Sequence, residues 1–423
     1  MLVEIKVTNF RSYSTPQTIS LVKGSGKELS ATNSFSVNAP NKIELLRSAA
    51  IYGANASGKS NLLQALQVMR GIVLQSAKEQ QRGDLLPVDP FRLSAVQREQ
   101  PSEFEVIFVA DGVRYQYGFS ASTEHIVDEW LFAFPKGHAQ LWFERSWDAK
   151  QAIHVWRYGS HLQGEKALWS RSTRDNALFL STAVQLNSEQ LMPVFDWFKH
   201  TLQLVGVDGV GPGFTASMCD EGDKAKVLDF LQAADINIDD ILVEAKPFDE
   251  RALLEDMPQE LRSVISKGMK GKKQLQIRTV RHDDEGKSVE FEYHEESDGT
   301  QRLFGFAGPW VDVLENGHVL FIDELHNSLH PRLVRFLVEL FHNKKTNPKN
   351  AQLVFTSHDT SILNQEAFRR DQIWFCEKDL TQATEIYPLM DFSPRKGREN
   401  LELAYLSGRY GAVPFVGDVG MHE

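Results

Sequence analysis

Between Gly53 and Ser60 the chain reads Gly-Ala-Asn-Ala-Ser-Gly-Lys-Ser, and few strings of this length restrict a fold as strongly. A GxxxxGKS string works as a phosphate loop only where a strand precedes it and a helix follows. Both flanks are present: apolar Ala49, Ala50, Ile51 and Tyr52 come before, and Leu62, Leu63, Leu66 and Met69 recur at helical spacing after. Gly53 and Gly58 let the backbone wrap close to phosphate oxygens. Asn55, Ala56, Ser57 and Asn61 belong to the loop and first helical turn, whose N–H groups face an anion. Lys59 then reaches the β and γ phosphates of a nucleotide, and Ser60 is placed to ligate Mg²⁺. The expected class is α/β.

Composition narrows what such a site can serve. With 423 residues, 42% hydrophobic and 24% charged, the chain holds enough apolar material for two or three domains. A net charge of −11 excludes a surface that is basic throughout, so nucleic acid could be met only by a local patch. Cys219 and Cys376 stand far apart without Cys or His at metal spacing, which supports neither a disulfide framework nor a cysteine-based zinc site and fits a reducing cytoplasm. The N-terminus alternates apolar and polar residues, and no run approaches the roughly 18 apolar residues of a membrane span. Neither export nor membrane insertion is expected.

Taken in order, Leu2 to Val7 reads as a strand and Asn9 to Tyr13 as a turn; residues 23–42 read as a loop. Two alternating runs, Phe104 to Val109 and Val113 to Phe119, flank Ala110-Asp111-Gly112, a hairpin signal. Ile126 to Arg157 carries Trp130, Trp142, Trp147 and Trp156 in strand-like runs, read as further sheet with an aromatic core. Helices are expected at Asn187 to His200, Asp223 to Ala234 and Glu250 to Ser266. Lys267 to Lys273 is the densest basic run, a loop or a phosphate-backbone contact, before a strand from Leu275 to Val280 and a return from Val289 to Tyr293.

Val319-Leu-Phe-Ile is an apolar run that ends in Asp323-Glu324. Paired carboxylates at the end of a buried strand would each cost several kcal/mol without a metal or partner. Asp323 is therefore placed to share Mg²⁺ with Ser60, and Glu324 to polarise an attacking water as general base. A helix from Arg332 to Phe341 leads to a second apolar strand, Gln352 to Ser357, which ends in His358.

These parts resemble those of the ABC ATPases. Ser297-Asp298-Gly299-Thr300-Gln301-Arg302 is similar to the signature motif, in which Ser297 and Gly299 would bind the γ-phosphate held by an opposite subunit. The stretch Leu325 to Pro331 occupies the place of the D-loop, with His330 where an aspartate is usual, and His358 resembles the switch histidine that senses the γ-phosphate. No glutamine marks a Q-loop convincingly; Pro87 to Phe91 lies in about the right region. The opening MLVEIKVTNFRSY, the segment LLRSAAIYGANASGKSNLL, SDGTQRLF and the run from Tyr405 to Pro414 resemble the AAA class-fifteen ABC-like ATPases of phage-defence systems. That family includes the RloA and AbiL abortive-infection ATPases and the ATPase of the PARIS system, and is related to the OLD nucleases.

The resemblance implies an ABC-type P-loop ATPase head, a mixed sheet with an antiparallel β subdomain, and a mainly helical insertion. The expected divisions are 1–122 and 282–392 for the two halves of the head, 123–281 for the insertion and 393–423 for a C-terminal extension. It further implies ATP and Mg²⁺ as cofactors, Lys59, Glu324 and His358 as catalytic residues, and a homodimer or higher oligomer that sandwiches ATP. The chain after His358 is too short for the Toprim domain of the OLD proteins, so a Toprim or RloB-like nuclease is expected as a separate effector under this ATPase's control. The competing expectation is a DNA-maintenance ATPase resembling RecF and the chromosome-maintenance proteins.

Overall fold

The computed structural model describes residues 1–37, 41–247 and 273–414. It divides into two compact units, one of Met1–Val207, Val313–Asn327 and Val334–Glu423, the other of Asp208–Asp312 and Ser328–Leu333. No helix among the described residues is long and apolar enough to cross a membrane.

In the first unit the chain opens with β1 (Leu2–Thr8) and β2 (Gln17–Ser20), then forms the short pair β3 (Ser34–Val37) and β4 (Ile43–Leu46), and then β5 (Ser48–Tyr52). Residues 23–42 are thus more than a loop: Phe35 and Val37 turn inward and Phe35 pairs with Leu45, a two-residue apolar alternation hidden among polar neighbours. The hairpin of β6 (Ser102–Ala110) and β7 (Val113–Ala121) turns at Asp111 and Gly112, whose φ values of 49° and 75° suit the right-handed twist of paired strands. β8 (Ile126–Phe134), β9 (Gln140–Asp148) and β10 (Ile153–Tyr158) follow as antiparallel neighbours. Together they build a seven-stranded sheet in the order β10-β9-β8-β7-β6-β1-β2. The tryptophan-rich segment therefore extends the sheet that β1 begins.

The helical expectation for Asn187 to His200 shortens to Met192–Asp196, continued by a wider turn over Trp197–Thr201. Pro193 starts that helix, and Trp197 is pulled inward to stack on Phe108 at 4.3 Å. β11 (Leu202–Val205) comes next.

The second unit holds helices Gly213–Met218 and Lys224–Ala233 and a three-stranded antiparallel sheet of β12 (Asp240–Pro247), β13 (Lys273–His282) and β14 (Ser288–Glu292). The expected helix at Glu250 to Ser266 and the basic run from Lys267 as far as Lys272 lie outside the described residues.

The chain completes a second sheet with β15 (Val319–Ile322), β16 (Gln352–Ser357), β17 (Ile373–Lys378) and β18 (Thr384–Pro388), in the order β11-β15-β16-β5-β17-β18. All pairs are parallel except β17 with β18. Every residue of β5, β15 and β16 is buried, as parallel strands covered on both faces require. Leu62, Leu66 and Met69 of the helix Lys59–Gln75 share one apolar cluster with Ile5 and Phe104 of the antiparallel sheet and Phe321 and Val354 of the parallel one. This is a mixed parallel sheet with an antiparallel subdomain, the architecture the resemblance implied.

Candidate functional site

β15, β16 and β5 lie side by side in one direction, so their carboxyl ends converge, and ligands of such sheets sit outside those ends. Tyr52 ends β5 and releases the chain into Gly53 to Gly58; Ile322 ends β15 before Asp323; Ser357 ends β16 before His358. The phosphate loop thereby meets two stretches that lie more than 260 residues further along the chain. They line a cleft of about 410 Å³ formed by the stretch from Asn55 to Asn61 together with Glu324 and His358.

The loop is held in shape from below as well as shaped for a phosphate. Gly58 has φ 105°, and a Cβ there would stand 2.3 Å from Thr384 Oγ1 and 2.7 Å from Ser12 Oγ. A Cβ at Gly53 would stand 2.3 Å from the Cys376 carbonyl oxygen. Tyr13 donates its hydroxyl to the Gly58 carbonyl at 3.0 Å, and Asn61 Nδ2 donates to Ser12 Oγ at 2.6 Å. Thr384 Oγ1 lies 2.7 Å from both Ser12 Oγ and the Ser57 carbonyl. Asn61 is thus turned toward the brace beneath the loop.

Lys59 begins the helix Lys59–Gln75, whose cap residue, Gly58, has no side chain to cap the first-turn N–H groups. The Lys59 side chain folds back, and its ammonium donates to the carbonyls of Gly53 at 2.7 Å and Ala54 at 2.9 Å. Burial draws its pKa below the ordinary lysine range, opposed by the nearby Cys376, Glu324 and Asp323. A buried cation whose hydrogen-bond partners are two neutral carbonyls, at an uncapped helix start, fits an anionic ligand. Ser60, the adjacent hydroxyl, lines the same cleft.

Asp323 is buried and accepts a hydrogen bond from Thr356 Oγ1. That hydroxyl also accepts from the Glu324 N–H at 2.8 Å, so one threonine of β16 fixes both carboxylate residues. Glu324 has φ 50°, which turns its side chain out of the strand direction, and its Oε1 lies 4.0 Å from His358 Nδ1. His358 Nε2 meets His326 Nε2 at 3.0 Å, and His326 Nδ1 lies 3.1 Å from Ser357 Oγ.

Ser297 and Gly299 belong to the second unit, while the phosphate loop, Asp323, Glu324 and His358 belong to the first. Ser297 Oγ accepts from the Thr300 N–H at 3.2 Å, which caps the helix Asp298–Asn316. A Cβ at Gly299 would meet nothing closer than the Ser328 carbonyl oxygen at 3.5 Å, so packing within this unit does not demand glycine. His330 Nδ1 accepts from the Arg332 N–H at 3.2 Å, at the start of the helix Pro331–His342. Arg11 bonds Gln64 Oε1 and lies 3.9 Å from Asp89.

Sequence reasoning missed Thr356, His326, Ser12, Tyr13 and Thr384. Ser12 and Tyr13 stand in the opening NFRSY string that carried the resemblance. Thr384 had no local signal, since its place under the loop follows from β18 pairing with β17.

Residues 48–364 match the family model described as "AAA domain, putative AbiEii toxin, Type IV TA system". No curated protein matches. Among solved structures the chain is similar to an SMC head domain from Thermotoga maritima, at 14% identity and a TM-score of 0.41 over 92% of this chain and 98% of that one. It is also similar to an Smc head domain with a coiled coil and joint from Pyrococcus yayanosii, at 10% identity and a TM-score of 0.38 over 97% and 99%.

Proposed function

Because the chain belongs to the family described as "AAA domain, putative AbiEii toxin, Type IV TA system", and so to the ABC-like P-loop ATPases, we propose that it hydrolyses ATP at the cleft around Lys59. The observation that carries this reading is the convergence of the phosphate loop, Asp323, Glu324 and His358 at the ends of three adjacent parallel strands. Lys59 would hold the phosphates with the N–H groups of residues 55–61. Ser60 and Asp323 would hold Mg²⁺, which when bound neutralises phosphate charge. Glu324 would orient and deprotonate the attacking water, and His358 would lie against the terminal phosphate.

The free backbone at Gly299 supports a close approach from outside this unit, and we assign that approach to the terminal phosphate of a nucleotide held by a second copy of the chain. Turnover then depends on a homodimer or larger assembly. By the same reading the protein is the sensor or regulatory subunit of an antiphage, abortive-infection defence system and controls a separate effector nuclease. The likeness to phage-defence ATPases and the toxin–antitoxin wording of the family description support this role.

Glu324→Gln tests the mechanism. Loss of a general base lowers turnover by about 10²–10⁴-fold, with ATP still bound by the phosphate loop. Turnover that survives the change would overturn the assignment of Glu324.

A further inference from the structure

His326 plays no part in the reaction outlined above, yet its imidazole meets that of His358, which lines the cleft. Glu324, His326 and His358 each offer a ligand atom, and these atoms all lie within 4.8 Å of one another. We propose that the three residues form a binding site for a transition-metal dication of the Zn²⁺ class, distinct from the Mg²⁺ pair of Ser60 and Asp323.

Three features carry this. The two Nε2 atoms face each other at 3.0 Å. Two imidazole nitrogens on one tetrahedral Zn²⁺, each about 2.0–2.1 Å from it, stand about 3.3 Å apart, so a shift of a few tenths of an ångström admits the ion. The donor set of two imidazoles and one carboxylate is one that Zn²⁺ takes with an open fourth position, and it suits Mg²⁺ poorly, which prefers oxygen. The outer support that ligating histidines need is also present: His326 Nδ1 lies 3.1 Å from Ser357 Oγ, itself fixed by the Asp359 N–H at 3.0 Å. With His326 Nδ1–H donating to that hydroxyl, the Nε2 lone pair is left on the side of His358 Nε2. Glu324 is aimed by its positive φ and by its N–H bond to Thr356 Oγ1.

The consequence for activity rests on the proposed ATPase reading: an ion held here takes Glu324 and His358 away from water and phosphate, so metal occupancy and turnover exclude each other. The binding itself does not rest on that reading, and the test separates the two. Zn²⁺ is titrated into the full chain by calorimetry at neutral pH without nucleotide, and Co²⁺ is added in parallel to read its visible absorption. The expected result is saturable one-to-one binding. Ser357→Ala, an outer partner, weakens it about tenfold, and His326→Ala, a ligand, by more than the roughly 100-fold upper range for outer partners. His326→Gln serves if the alanine variant does not fold. Absence of saturable Zn²⁺ binding by the unmodified chain overturns the proposal, as does binding that neither His326 variant changes. Failure of the ATPase reading would instead appear as absence of ATP turnover by the unmodified, metal-free chain, with Zn²⁺ affinity a separate readout.

Discussion

Thr356→Val separates the hydroxyl that organises the carboxylate pair from the volume that fills its place. Thr356 is buried at 4% exposure, and its Oγ1 both donates to Asp323 and accepts from the Glu324 N–H. Valine keeps the shape and deletes both bonds. A hydrogen bond to a charged acceptor contributes about 1.5–3 kcal/mol, and an N–H left unpaired adds about 1 kcal/mol or more, so the expected loss is about 3 kcal/mol. Thr356→Ser keeps the hydroxyl and loses a methyl group, which costs about 1 kcal/mol. Urea unfolding followed by tryptophan fluorescence suits the measurement, because Trp310 alone of the tryptophans lies in the second unit. Turnover should fall with stability, since a misplacement of about 1 Å near the chemistry costs on the order of 100-fold. The reasoning is refuted if the valine variant unfolds at the same urea concentration as the parent, or if serine costs more than valine.

Arg145 and Glu129 form an ion pair at 3.0 Å with both side chains fully buried, and Glu129 also accepts from Tyr117 Oη at 3.0 Å and from the N–H groups of Phe179 and Leu180 at 2.7 and 3.0 Å. Arg145→Met should cost about 3–5 kcal/mol by stranding the carboxylate, and adding Glu129→Gln should recover much of that in a double-mutant cycle; a double variant no better than the single would contradict it. Burial, aided by Arg47 for His342 and by Arg145 for His154, lowers these histidines to about 3 and about 4 from 6.5. The unfolded chain takes up those protons first, so their contribution to stability is full above pH 6.5 and is lost as pH falls toward about 4 for His154 and about 3 for His342. The slope is at most about 1.4 kcal/mol per pH unit for each histidine, and equilibrium unfolding across that range should show a shallower slope in His342→Gln. Ser297→Arg should abolish turnover while ATP still binds the phosphate loop, and measured binding and hydrolysis that fall together would speak against a site completed by a second copy.

The parts legible in the sequence are those whose chemistry is written in consecutive residues. Gly53 to Ser60 needs only its own strand and helix, Asp111-Gly112 closes its own hairpin, and the all-buried β15 reads as an unbroken apolar run, as does Leu353 to Phe355 within β16, because both faces are covered. What stayed hidden depends on pairing across the chain. Nothing near Thr384 says that its hydroxyl supports Ser57, and nothing near Thr356 says that it faces Asp323, since both facts follow from which strands are neighbours. The alternation of β8, β9 and β10 is visible, but not the sheet they join. His330 read as a gap in the D-loop pattern; here it caps a helix, a role that any short acceptor in that position can fill.

Backbone strain between Glu324 and Ser328 is concentrated where the chain changes units. Glu324 and Ser328, neither of them glycine, have φ of 50° and 59°, a conformation that costs on the order of 1 kcal/mol or more at each and persists only where surrounding bonds enforce it. Thr356 enforces the first through the Glu324 N–H, and the Asn327 N–H closes the intervening turn on the Glu324 carbonyl at 2.9 Å. Asn327 is also the last residue of its segment in the first unit, and Ser328 opens the second unit's segment from Ser328 to Leu333. The proposed base therefore stands at one end of a strained turn whose other end belongs to the unit that carries Ser297.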